Sequence, residues 1–102
     1  MKFTVDQTLN QAINAHKEGR LEDAKQGYKK MIELKPDNIV AHTNLGTILQ
    51  TLGKLEEAEA SYKKAIELNS EFAEAHYNLG NLLNKIGKLE EAEASYKKAI
   101  KI

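Results

Sequence analysis

Apolar residues recur along this chain at steps of three and four, the period of one face of a helix. Ala75, Leu79, Leu82, Leu83 and Ile86 form one such stripe, and Leu89, Ala92, Tyr96, Ala99 and Ile100 form the next. Gly87 lies between these two runs, as Gly19 and Gly53 lie between earlier ones. A glycine that accepts positive φ ends one helix and lets the chain reverse, so each pair of runs reads as an antiparallel helical hairpin. Lys35-Pro36-Asp37 and Asn69-Ser70-Glu71 supply breakers and N-cap candidates between hairpins, and Thr4 with Gln7 has the spacing of a capping box. The pattern predicts helices over about 5–18, 21–34, 38–52, 55–68, 72–86 and 89–101, with no strand pattern to compete.

The hairpins are copies of one another. GKLEEAEASYKKAI occupies Gly53 to Ile66 and recurs unchanged at Gly87 to Ile100, an offset of 34, and a degenerate form, GRLEDAKQGYKKMI, runs from Gly19 to Ile32. AHTNLGTIL from Ala41 matches AHYNLGNLL from Ala75 at the same offset, and three units of 34 account for all 102 residues. A fixed period of this length implies stacked supersecondary units with one continuous core. The whole chain is then a single array with repeats at about 5–38, 39–72 and 73–102.

Composition narrows the function classes. Lys plus Arg (15) equals Asp plus Glu (15), so no global field attracts nucleic acid or an anionic membrane, and neither is expected as a partner. Cysteine is absent, which removes disulfides, thiol catalysis and cysteine-based zinc sites. The amino terminus lacks the apolar stretch of a secretory signal and no run is long enough to span a bilayer, so a soluble cytoplasmic protein is expected. Ser61, Ser70 and Ser95 have no context of an activated nucleophile, and no glycine-rich phosphate loop occurs. No enzyme activity, metal or cofactor is expected of these residues.

The spacing His42-x-x-Leu45-Gly46-x-x-Leu49 followed by Ala58-x-x-x-Tyr62-x-x-Ala65, repeated by His76, Leu79, Gly80, Leu83, Ala92, Tyr96 and Ala99, resembles the tetratricopeptide repeat over the full chain. Pro36 matches the late proline of that family, and Ser70 replaces it after the second unit. The first unit departs further, with Thr8, Gln11, Ala12 and Ala15 where the others have His, Leu, Gly and Leu, and Met31 in place of a small Ala. A polar first unit suits an end that meets water. The resemblance implies an all-α fold, a right-handed α-solenoid of three antiparallel hairpins. It also implies that a capping helix normally follows the last repeat, whereas this sequence stops at Ile102. Three explanations follow: an excerpt of a longer array, a face buried in a partner, or self-association through the uncapped last helix. The verbatim copying of 14 residues points to recent duplication or deliberate construction.

In the family, first helices line a concave groove and second helices form the convex back. Carried over by position, this marks Asn10, Ile13 and Lys17, then Asn44, Thr47 and Thr51, then Tyr77, Asn78, Asn81 and Lys85 as the peptide-binding candidates. Asp6, Leu9, His16, Val40, Thr43, Gln50, Glu74 and Asn84 complete that face. Its amides both donate and accept, which suits the backbone of an extended peptide. Asn10, Asn44 and Asn78 recur once per repeat and resemble the asparagine ladder of O-linked N-acetylglucosamine transferases. Tyr77 is a candidate aromatic anchor. By the same resemblance, the positions where a chaperone-tail clamp needs cations hold Leu9, Ile13 and Glu74, with only Asn44 matching, which argues against that ligand.

Other periodic residues have structural readings. His42 and His76 stand where the family places a large packing residue, without ligands at metal spacing. Tyr28, Tyr62 and Tyr96 are expected in the core, and the Glu and Lys runs on a solvated convex face with Glu59–Lys63 and Glu93–Lys97 pairs. The leading expectation is a non-catalytic module that binds a peptide or protein segment in its groove. A self-associating assembly unit and the recognition fragment of a larger enzyme are the alternatives.

Overall fold

The computed structural model describes residues 4–102, which form six helices. These are α1 (Val5–Lys17), α2 (Leu21–Leu34), α3 (Ile39–Thr51), α4 (Leu55–Leu68), α5 (Ala73–Lys85) and α6 (Leu89–Lys101), with no strand among the described residues. Thr4 opens α1 through a complete capping box with Gln7, and the Asn38 side chain accepts from the Ala41 amide to open α3. Helix α5 starts after Phe72 without a side-chain cap. The second helices also lack capping side chains, and each instead places two acidic residues in its first turn, Glu56 and Glu57 in α4 for example, where the helix dipole favours negative charge.

Each hairpin closes in the same way. Gly53 sits at φ 80°, its amide donating to the Gln50 carbonyl (3.0 Å) while the Lys54 amide donates to Leu49 (2.8 Å). This is the Schellman pattern, which satisfies carbonyls that a helix end would leave open. Gly19 and Gly87 repeat it.

Within a hairpin the helices cross at glycine. A Cβ on Gly46 would lie 2.6 Å from the Tyr62 ring, and one on Gly80 would lie 2.8 Å from that of Tyr96. The first unit solves the same crossing differently. It carries Ala12 in place of the glycine and removes the opposing side chain, since Gly27 stands where the other units have Ser61 and Ser95, with 2.8 Å between its would-be Cβ and the Ala12 methyl. Gly27, the one glycine outside the repeated positions, is thus accounted for by packing.

Hairpins then stack in series, α2 on α3 and α4 on α5, into an elongated body of 48 × 25 × 19 Å. Because Gly80 faces α6, the stripe Ala75, Leu79, Leu82 and Ile86, roughly 100° around the helix, is turned to α4. The same register in α3 holds Ala41, Leu45, Ile48 and Leu52, and in α1 it holds the exposed Gln7, Gln11, Asn14 and Glu18. The outer face of the first repeat is therefore polar where later repeats are apolar. His42 and His76 are buried and lock the inter-repeat loops, each with Nε2 2.8 Å from a carbonyl, of Pro36 and of Ser70 respectively. A carbonyl only accepts, so Nε2 carries the hydrogen.

Replacing Gly46 with Val is expected to destabilise the fold by about 1–3 kcal/mol, because the ring it meets is fully packed. Urea denaturation checks this, and an unchanged midpoint would show that Tyr62 moves aside freely.

Candidate functional site

The face of α1, α3 and α5 that turns neither to its own second helix nor to the preceding repeat is open. Between α3 and α5 it sinks into a cleft of about 240 Å³. Thr47, Gln50 and Thr51 line it from α3, Asn78, Asn81 and Lys85 from α5, and Tyr62 from below. Five of the ten binding candidates named from sequence, Thr47, Thr51, Asn78, Asn81 and Lys85, thus come together in one place.

The floor is polar because tyrosines reach it from underneath. Tyr62 is buried as a ring, yet its hydroxyl donates to Thr47 Oγ1 (3.3 Å) and to Gln50 Oε1 (3.2 Å). Tyr96 donates to Asn81 Oδ1 at 2.5 Å. In the first repeat Ile13 occupies the position of Thr47 and cannot accept, and the Tyr28 hydroxyl is the acceptor of a bond from the Asn44 side-chain amide of the next repeat at 3.3 Å. Burial pushes the Tyr28 and Tyr62 phenols above the usual tyrosine range, so both remain protonated across the neutral range. The expectation of core tyrosines holds for Tyr28 and Tyr62, whereas Tyr96 is half-buried. That the Tyr62 hydroxyl reaches the cleft was missed, and the available signal was Tyr in all three units where Phe would fill the same volume.

These bonds polarise the cleft walls. Thr47 and Thr51 each donate back to the carbonyl four residues earlier (3.3 and 3.0 Å), so their hydroxyls have only lone pairs left to offer. On the opposite wall Asn81 has its oxygen occupied by Tyr96, which leaves its NH₂ group, beside the Lys85 ammonium, to donate. The acceptors Thr47 and Thr51 thus face the donors Asn81 and Lys85, while Gln50 and Asn78 bring an amide to each wall.

The remaining candidates fall elsewhere. Asn10 and Lys17 are exposed on α1, and Ile13 is half-buried against the core cluster. Asn10, Asn44 and Asn78 share one register on successive first helices, but Asn44 is engaged by Tyr28 while Asn78 lines the cleft. Thr43 is not a groove residue: it is 1% exposed and donates to the Ile39 carbonyl. Tyr77 is 54% exposed and lies outside the cleft, its ring 5.9 Å from that of Tyr96 at the carboxyl-terminal end of the stack.

Both expected pairs form on the second helices, Glu59–Lys63 (2.7 Å) and Glu93–Lys97 (2.8 Å), but only the latter is solvated at both partners, Glu59 being largely covered. Glu59 also faces Lys88 of the following repeat at 3.8 Å. The hydrogen bond from Lys63 holds its carboxyl below the usual carboxylate range despite partial burial. No group of three metal-ligating side chains occurs among the described residues, and no helix there is long and apolar enough to cross a membrane.

Comparison with known proteins places this geometry in context. Patterns for the tetratricopeptide (TPR) repeat match residues 28–60, 51–87 and 73–102, together covering 28–102 without a gap. The first TPR of Spaghetti (RPAP3), bound to the HSP90 peptide SRMEEVD, is 26% identical, with a TM-score of 0.91 over 95% of this chain and 77% of that one. The second TPR of the same protein, bound to the same peptide, is 25% identical, with a TM-score of 0.89 over 94% of this chain and 89% of that one. The TPR2B domain of yeast Sti1, in a pHsp70 complex, is 20% identical, with a TM-score of 0.90 over 93% and 76%, a likeness of fold alone. No curated protein matches the sequence.

The hydrogen-bond pattern separates two asparagines that look equivalent in sequence. Asn44→Ala leaves the buried Tyr28 hydroxyl without its partner and is expected to cost about 0.5–1.5 kcal/mol. Asn78→Ala is expected to stay within about 0.5 kcal/mol of the parent. Equal urea midpoints for the two variants would contradict this assignment.

Proposed function

Because the chain belongs to the tetratricopeptide repeat family, and two structural relatives hold the same HSP90 peptide, we propose that it is a non-catalytic interaction module whose ligand is an extended peptide lying along the face of α1, α3 and α5. The observation that carries this reading is the cleft between α3 and α5, where the acceptors Thr47 and Thr51 oppose the donors Asn81 and Lys85. Each edge of an extended backbone presents both N–H groups and carbonyls, so walls that offer acceptors from Thr47 and Thr51, donors from Asn81 and Lys85, and the amides of Gln50 and Asn78 can grip it without reading its side chains. Asn78 beside the same cleft and Asn10 in register on α1 extend the polar track.

The chemistry favours a neutral segment over an acidic tail. The peptide held by the two relatives is SRMEEVD, with three carboxylate side chains. Lys85 is the single charged residue lining the present cleft, and Leu9, Ile13 and Glu74 stand where a carboxylate clamp would need cations. An acidic ligand would be desolvated there without adequate compensation.

A peptide-array screen followed by titration of the best segment tests the proposal. Asn81→Ala combined with Lys85→Ala is expected to weaken that segment about tenfold, the equivalent of about 1.4 kcal/mol, with helicity unchanged by circular dichroism. SRMEEVD is expected to bind at least about tenfold more weakly than a neutral hit. Tight binding of SRMEEVD, or affinities indifferent to the double substitution, would overturn the assignment.

A further inference from the structure

Tyr28, Tyr62 and Tyr96 hold one position of the repeat, yet their hydroxyls meet different side chains, and the difference decides which edge of an amide is left for a ligand. Tyr28 reaches forward to the next repeat, where its hydroxyl accepts from the Asn44 NH₂ group at 3.3 Å. Tyr62 divides its one hydrogen between Thr47 Oγ1 at 3.3 Å and Gln50 Oε1 at 3.2 Å. Tyr96 gives its hydrogen to Asn81 Oδ1 at 2.5 Å.

The length of this last bond identifies the amide edge. N–H···O bonds span about 2.7–3.2 Å whereas O–H···O bonds reach down to about 2.5 Å, so the atom that meets the phenol is the Asn81 oxygen. The NH₂ group is then the edge left to the cleft that Asn81 lines. Asn44, held through its nitrogen, is left with the opposite edge. An asparagine on a helix surface turns either edge outward easily, because its terminal torsion is broad and two-fold. Turning Asn81 over would set nitrogen closer to the hydroxyl than an N–H···O bond allows and would take the acceptor from the Tyr96 hydrogen. The phenol is itself confined. A Cβ on Gly80 would come within 2.8 Å of the Tyr96 ring, and the Tyr77 ring lies 5.9 Å away on another side.

We propose that Tyr96 is a positioning residue of the groove, which holds the Asn81 amide with its NH₂ group toward the cleft, where it donates to a backbone carbonyl of the bound segment. The inference rests on the groove reading above and fixes the polarity of the grip at one point. An amide held in its binding orientation before the segment arrives spares the complex the cost of ordering it. The ring of Tyr96 serves packing and the hydroxyl serves recognition, so the two roles are separable by substitution.

Two measurements test this, the first without any ligand. In isotope-labelled protein followed by NMR, Tyr96→Phe removes the hydroxyl and keeps the ring. It is expected to move the Asn81 side-chain carbonyl carbon upfield, as loss of a hydrogen bond does, and to leave that of Asn78 in place. The second measurement titrates the capped neutral peptide acetyl-Ser-Val-Thr-Val-Thr-Ser-amide at millimolar concentration, since a grip on the backbone requires no special sequence. Asn81→Ala and Tyr96→Phe are each expected to weaken it about threefold, and the two together no more than Asn81→Ala alone, because Tyr96 acts through Asn81. Asn81→Asp still accepts from Tyr96 but turns an oxygen to the cleft, and is expected to weaken the peptide at least as much as Asn81→Ala. A Tyr96 that only supported the fold would affect binding whether or not Asn81 is present, so additive losses overturn the proposal. So does an Asn81 carbonyl carbon indifferent to Tyr96→Phe, or an Asn81→Asp variant that binds as the parent does. These outcomes leave the groove reading standing, whereas a peptide that shifts no cleft resonance of the parent protein overturns both.

Discussion

A two-helix hairpin in this protein has more apolar stripe than it can bury on its own, and the stacking that resolves this governs everything else. Helix α3 is pressed by α4 on one side and by α2 on another, and seven of its thirteen residues are buried. Helix α6 has one neighbour and a single buried residue, Ala92. Stability in such an array is a sum of unit and nearest-neighbour terms, and the terms weaken toward an end that lacks a neighbour. Among the described residues the two ends differ, the first presenting Gln7, Gln11, Asn14 and Glu18, the last an apolar surface with Tyr77, Tyr96 and Ile100.

Stacking also decides which polar groups remain free. No buried side-chain nitrogen or oxygen among the described residues lacks a partner. Tyr62 and Tyr96 fill the hairpin crossings with their rings, Tyr28 is buried in the same core, and the hydroxyl of each meets a side chain of a first helix. Packing and the character of the cleft are therefore coupled: the same side chain that fills the space beside Gly46 donates to the Thr47 and Gln50 side chains that line the cleft. His42 and His76 perform the analogous task at the loops, combining burial with a bond to the Pro36 or Ser70 carbonyl.

Much of this was legible in the one-dimensional pattern. The six helices lie within a residue or two of the expected spans, the glycines reverse the chain, and the Thr4–Gln7 box is present. Half of the binding candidates converge on the cleft between α3 and α5. The others diverged for identifiable reasons. Thr43 and Tyr77 share one register, yet Thr43 is shut inside the stack and Tyr77 is left at its open end. Asn44 and Asn78 also share a register, yet Asn44 donates to the Tyr28 hydroxyl while Asn78 lines the cleft.

Helix period, glycine reversal and repeat length are local properties, set by side-chain spacing of 3.6 residues and by the φ each residue tolerates, and the sequence alone determined them. Exposure, hydrogen-bond partnership and the chemistry each wall offers are properties of position in the stack. Identical residues in α4 and α6 therefore acquire opposite surroundings, Tyr62 covered and Tyr96 open, which only the tertiary structure decided.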